Sequence, residues 1–264
     1  MRPDEHSAAA AALVQAERDR RQIGLLSVAH PDIDMDDAYA IQKQVVAAKV
    51  AADDPEIGWK IGLPSRAMQM ALNIDIPDSG VLTRSMQFGT GATIPKGHFI
   101  EPRIEAEIAF VMKSDLGGAD VSRADVLAAT DHVAPALEIL DTRILRRDPE
   151  TGQPRKVFDT IADNAANAGI VLGTARHVPE NLPWVGAIVS VGDTVEETGL
   201  GAGVLGDPVE SVVWLARRMA LYGERITAGQ VILSGSFIRP IECPPGTDIH
   251  ADFGSFGRVD LRFD

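Results

Sequence analysis

The stretch RIEAEIAFVM at 103–112 sets two glutamates two residues apart in an apolar run, and no other pair in the chain points so directly to chemistry. On a β-strand side chains alternate faces, so Glu105 and Glu107 point the same way while Ile104, Ala106, Ile108 and Phe110 make an apolar face on the other. A half-solvated strand with a glutamate-rich wet side would account for that pair, because Glu is almost never buried unpaired. Yet the glutamate face continues with Ala109 and Val111, and a second apolar run, PALEIL at 135–140, carries a single carboxylate, Glu138, at its centre. Three carboxylates on apolar strands are unfavourable unless a cation compensates them. Hard oxygen ligands select Mg²⁺, Mn²⁺ or Ca²⁺ rather than zinc, and an octahedral ion with three protein oxygens keeps positions open for water or substrate.

Five other places could add chemistry, the first three with a plain structural reading beside them. Lys60 in GWKIGLPS (58–65) reads either as a surface lysine on an edge strand or as a desolvated one suited to proton transfer or to pairing with a carboxylate. PDSG at 77–80, with Asp78 and Ser79, is an ordinary turn by composition unless it lies near the cation. In DNAANAG (163–169), Asn164 and Asn167 suit either a capped turn or orienting hydrogen bonds. RILRRDPETGQPRK (143–156) is the locally basic loop of an acidic protein, and GSFIRP (235–240) puts Arg239 just past a strand. Either could meet an anionic substrate. The histidines show no metal-ligand or nucleophile spacing, and G-x-S-x-G, H-E-x-x-H and a helix-opening G-x-G-x-x-G are absent.

The elements that must position these residues divide the chain in two. Residues 1–80 read as helical: one helix capped by Ser7, one following Asp34 with Ile41, Val45 and Ala48 as its stripe, and a short one from Ser65 carrying Met68, Ala71 and Leu72. From 81 to 264 the texture is β-like, with strands expected near 104–112, 136–141, 169–173, 185–191, 194–198, 230–234, 247–252 and 257–263. Two helices interrupt them, one capped by Ser122 and one opened by Asp207 and Pro208 with Glu210 completing a box. VGDT at 191–194 reads as a hairpin turn. The pattern predicts an α+β protein, a helical N-terminal segment on a mostly β domain, and disfavours a regular parallel α/β sheet.

The chain has 264 residues, 45% of them hydrophobic, enough for one large core. Its 25 Lys and Arg against 38 Asp and Glu give a net charge of −13, which disfavours nucleic acid as a partner. A lone Cys243 excludes an internal disulfide, and the short apolar patch near the N-terminus predicts neither a signal peptide nor a membrane span. A cytoplasmic protein is expected.

In order, GWKIGLPSRAMQMALNIDIPDSG, FIEPRIEAEIAFVM, ALEILDTRI, RKVFDTIADNAANAGIVLG and HADFGSFGRVDLRF resemble the hydratase/decarboxylase family of the fumarylacetoacetate hydrolase superfamily, from about residue 10 to the C-terminus. Within it, DTRILRRDPETGQPRKVFDTIADN and GSFIRP favour a hydratase of a seven-carbon 2-oxo diacid in homoprotocatechuate catabolism. A decarboxylase of a vinylogous 2-oxo diacid and a five-carbon 2-keto-4-pentenoate hydratase are the alternatives. The resemblance implies a mixed β-roll, Mg²⁺ or Mn²⁺ on Glu105, Glu107 and Glu138, active-site roles for Lys60, Asp78 and Ser79, and less directly for Asn164. It also implies a large homo-oligomer such as a decamer. Lys60 with Asp78 is expected to move protons, or Lys60 to hold a substrate carboxylate. Arg239 or the basic loop is expected to receive the second carboxylate.

Overall fold

The computed structural model describes residues 1–63 and 77–264. The helix expected from Ser65 lies outside the described residues. Helix α1 (Pro3–Asp19) starts four residues before the expected cap: Pro3 takes the first position, Asp4 and Glu5 occupy the first turn, and the Ser7 hydroxyl donates back to Pro3 O at 3.0 Å. After the short α2 (Leu26–Ala29), α3 (Met35–Ala51) begins where the sequence indicates. Asp37 N donates to Asp34 Oδ1 at 2.9 Å, and Asp34 N donates back to Asp37 Oδ2 at 3.3 Å. Leu13, Ile41 and Val45 join Ile144 and Ile161 in a satellite core that ties the helices to the rest of the chain.

Among the described residues the N-terminal helices end at Ala51, and the expected boundary at residue 80 falls inside a strand. Strands β1 (Glu56–Gly62) and β2 (Asp78–Thr83) pair antiparallel and belong to the larger sheet. Its other members are β3 (Gln87–Gly89), β5 (Arg103–Met112), β6 (Thr130–Leu140), β7 (Asn167–Leu172) and β10 (Val231–Leu233), in the order β2-β1-β10-β5-β6-β7-β3, with β11 (Ile241–Glu242) beside β5. The smaller sheet runs β4-β13-β12-β8-β9: β4 is Ala92–Ile94, β8 Gly186–Val191, β9 Thr194–Leu200, β12 Thr247–Asp252 and β13 Arg258–Phe263. Parallel pairing is confined to short contacts, β1 with β10, β3 with β7 and β4 with β13, so the α+β class holds. Helices α4 (Arg123–Ala129) and α6 (Pro208–Ala220) start at the expected caps Ser122 and Asp207, whereas α5 (Val157–Ala162), six residues long, was not expected.

The two faces of the larger sheet differ. Ile104, Ala106, Ile108 and Phe110 pack with Val189, Ile249, Val259 and Leu261 of the smaller sheet in the main core. On the opposite face Leu82, Ala109, Ala136, Ile170, Val231 and Leu233 form a second, smaller cluster. The sheet curls until β2 meets β7 and the turn before it, so this second face lines the inside of a roll. Among the described residues no helix is long and apolar enough to cross a membrane.

Candidate metal centre

Glu105 stands directly opposite Glu138 in the β5–β6 register, and Glu107 opposite Ala136. Strand alternation therefore puts all three carboxylates on the inner face, just past the apolar cluster. One oxygen from each lies within 4.8 Å of the others. Glu107 and Glu138 are fully buried. Gly235 N donates to Glu107 Oε2 at 2.7 Å, but Glu107 Oε1 and both oxygens of Glu138 have no hydrogen-bond partner. Burial, reinforced by the charge of Glu138, pushes Glu105 up to about 8; Glu107 is held well above its ordinary value by burial and its two carboxylate neighbours, and burial also raises Glu138. Orphaned, converging carboxylate oxygens without nitrogen or sulfur donors fit a hard divalent cation, and ligation would satisfy the atoms that the protein leaves bare.

Lys60 reaches this cluster from β1. It is 4% exposed, on a strand flanked by β2 and β10 rather than at the sheet edge, and its Nζ lies 3.6 Å from Glu138 Oε1. Burial works against its charge, but Glu138, Asp78, Glu105 and Glu107 outweigh burial and raise its pKa, so it is an ammonium group here. Asp78 pairs with Gly62 across β1–β2, on the same face as Lys60. It is 2% exposed, its Oδ1 has no partner, and burial raises its pKa against the pull of Lys60. Gly62 makes this approach possible: a Cβ there would lie 2.1 Å from Asp78 Oδ1 and 3.0 Å from Lys60 Nζ.

Ser79 pairs with Ile61, so its side chain faces away from Asp78, toward a cavity of about 780 Å³ that Tyr39, Val46, Trp59 and Met219 also line. Asn164 is committed to the backbone of β2. Val81 N donates to its Oδ1 at 2.8 Å, and its Nδ2 donates to Val81 O at 2.9 Å. Asn167 Nδ2 adds a second donor to Val81 O, and Gln42 Nε2 donates to both Ser79 O and Ile161 O. Three side-chain amides thus occupy the outer edge of β2, where a neighbouring strand would otherwise pair. Asn164, Ala165 and Ala166 all have φ between 50° and 59°, a left-handed run that non-glycine residues adopt only when their surroundings impose it. Arg143 supplies that constraint. Its N and Nε donate to Asp163, Nη2 to Asp163 O and Nη1 to Asn167 O, so this first arginine of the basic loop is engaged within the fold. Arg239 is 83% exposed and pairs with Glu197 on β9, not with any carboxylate of the cluster. Gln42 and Gly235 were not singled out from sequence. Gly58 and Gly62, on either side of Lys60, were the signal that backbone comes close there.

No protein-family model matches the chain. It is 46% identical to 2-oxo-hept-4-ene-1,7-dioate hydratase of Escherichia coli over 98% of its own length and 97% of that protein's. The chain belongs to the hydratase/decarboxylase family. A second family member, 2-keto-4-pentenoate hydratase of Paraburkholderia xenovorans, is 37% identical over 100% of this chain and 97% of its own. Among solved structures, 4-oxalocrotonate decarboxylase from Pseudomonas putida G7, complexed with magnesium and adipate, superposes with a TM-score of 0.93 at 30% identity, covering 100% of this chain and 99% of that one. Fumarylpyruvate hydrolase from Pseudomonas aeruginosa, at 12% identity and a TM-score of 0.57 over 78% of this chain and 88% of its own, shares the fold.

Proposed function

We propose that this enzyme is a divalent-metal-dependent hydro-lyase that hydrates 2-oxo-hept-4-ene-1,7-dioate to 4-hydroxy-2-oxoheptane-1,7-dioate in the catabolism of aromatic compounds, homoprotocatechuate among them. The observation that carries the reading is the inner-face cluster of Glu105, Glu107 and Glu138 beside Lys60 and Asp78, in a chain 46% identical to a hydratase. Mg²⁺ or Mn²⁺ on the three glutamates would supply Lewis acidity at a 2-oxo acid and a template for it. The Lys60 ammonium holds the substrate's C1 carboxylate and balances the negative charge that develops along the chain. Asp78, with a raised pKa and a bare Oδ1, takes the proton from C3 and returns it at C5, bringing the double bond into conjugation with the ketone. Water then adds at C4 and the proton goes to C3. The apolar cluster of Leu82, Ala109 and Leu233 closes the inner face beside these groups to bulk water. Exposed Ile188, Val195 and Leu200 on β8 and β9 support assembly into a homo-oligomer that would cover them.

A decarboxylase of a vinylogous 2-oxo diacid is the second reading, favoured by the superposition on 4-oxalocrotonate decarboxylase. One experiment separates the two. Metal-stripped protein is given the seven-carbon oxo-ene diacid and, separately, 4-oxalocrotonate, whose far carboxylate is vinylogous to the ketone, with and without Mg²⁺, while absorbance, CO₂ and hydroxylated product are followed. Mg²⁺-dependent loss of the chromophore without CO₂ is expected, and release of CO₂ would assign the decarboxylase instead.

A further inference from the structure

Arg103 stands on the face of β5 that carries the metal ligands, and its role there extends the hydratase reading, on which it rests. Alternation from Glu107 through Glu105 brings the next inward side chain to Arg103. Its partners across the sheet agree: Arg103 stands opposite Leu140 on β6, as Glu105 stands opposite Glu138, and opposite Glu242 on β11. The inner face of β5 therefore reads Ala109, Glu107, Glu105, Arg103 in one line, each about 7 Å from the next. Burial falls along it. Ala109 and Glu107 are fully buried, whereas Glu105 and Arg103 are half-buried, so the roll opens at the Arg103 end.

The register of the neighbouring strands places the other groups along this line. Leu233 on β10 pairs with Ala109 on one side and Lys60 on the other, so Lys60 is level with Ala109. Gly62, two residues further along β1, is opposite Asp78, which puts Asp78 one step nearer the opening, level with Glu107. In the other direction Gly58 is flanked by Leu82 and Val231 of the apolar cluster, which close the face beyond Lys60. With a 2-oxo acid group at the glutamates, the rest of a seven-carbon chain extends away from these apolar groups, toward Arg103. The present partner of Arg103 is Glu242, and the two are unequal: the Arg103 side chain is 27% exposed and that of Glu242 74%. An ion pair with so exposed an acid contributes little and yields to a better-placed carboxylate. We infer that Arg103 receives the far carboxylate of a 2-oxo diacid whose other end sits at the glutamate cluster, and so sets a preference for diacids over monoacids. A planar guanidinium fork matches a carboxylate with two parallel hydrogen bonds.

The test titrates two saturated probes that cannot react, 2-oxoheptane-1,7-dioate and 2-oxoheptanoate, into Mg²⁺-loaded wild type, Arg103→Met, Arg103→Lys and Glu242→Gln by calorimetry. The wild type is expected to prefer the diacid. Arg103→Met should weaken the diacid by about 10- to 100-fold and the monoacid by less than about threefold, with Arg103→Lys between wild type and Arg103→Met. Glu242→Gln breaks the same ion pair but frees the guanidinium, so it should bind the diacid as tightly as the wild type or more tightly. All three variants should melt within about 4 °C of the wild type, because the pair they disturb is partly solvated. Retained diacid preference in Arg103→Met, or equal weakening of the diacid by Arg103→Met and Glu242→Gln, would overturn the assignment. A wild type that hydrates the oxo-ene diacid yet binds both probes alike overturns it while the hydratase reading stands. Should the wild type prefer the diacid through Arg103 yet hydrate nothing, the assignment stands and the hydratase reading falls.

Discussion

Glu107 is held from two sides: the Gly235 amide fixes one oxygen, and the other points bare toward Glu105 and Glu138. Glu107→Gln keeps the volume and removes the charge, so it should abolish Mg²⁺ binding in a calorimetric titration and lower activity by roughly 1,000-fold or more while the fold persists. Wild-type activity and titration in that variant would sink the metal assignment. At this scale the glutamates were readable because a strand has a strict period of two, and because a carboxylate inside PALEIL has no bland explanation once it faces two others. Lys60 was ambiguous, since a lysine between glycines gives no hint of which strand lies on either side; only β2 and β10 decide that it is buried. Arg239 could not be placed either, because a position just past a strand leaves open whether the side chain turns inward or, as here, toward Glu197.

At the scale of elements, β2 matters through what holds it. Asn164 makes two buried hydrogen bonds to Val81, and Asn164→Ala would leave Val81 N unsatisfied, which costs about 1–3 kcal/mol. Chemical denaturation should show that loss, and kcat should fall with little change in Mg²⁺ affinity, because β2 carries Asp78 but no glutamate of the cluster. A parallel loss of Mg²⁺ affinity would show that β2 also supports the metal ligands. Gly62→Ala tests the same geometry from β1: its Cβ would displace Asp78 from Lys60, so kcat should drop at least about tenfold while stability changes by less than about 1 kcal/mol. An unaltered kcat would show that the Lys60–Asp78 approach is dispensable. The starts of α3, α4 and α6 were legible because Asp34, Ser122 and Asp207 are caps followed by apolar periodicity. β1 and β2 were not, because each is short, glycine-containing and follows a helical pattern, and α5 has too few turns to display a period. Asn164 was legible as a hydrogen-bonding side chain, but an amide serves backbone and ligand equally well, and sequence does not say which is nearer.

For the molecule as a whole, the inner face of the larger sheet couples folding to ionisation. In the metal-free protein Glu105 titrates near about 8, against an ordinary 4.5. Between those values the folded state keeps a proton that the unfolded chain has lost, so this group's contribution to stability falls as pH rises through the window. Metal binding needs the ionised carboxylates and therefore strengthens with pH. The melting temperature of stripped protein should be lower at pH 8.5 than at pH 5.5, and the rise on adding Mg²⁺ should be larger at pH 8.5. An Mg²⁺-induced rise that is equal or larger at pH 5.5 would contradict the shared site. The α+β class was evident from sequence, but the curl that brings β2 to β7 was not, because it depends on three amides distant in the chain. Those amides have one more effect. An unpaired strand edge is a template on which a second polypeptide can add a strand, and β2 would offer such an edge beside Lys60 and Asp78. Gln42, Asn164 and Asn167 occupy the backbone groups that an incoming strand would need, so the clasp also guards the protein against edge-to-edge aggregation during folding, before any substrate is met.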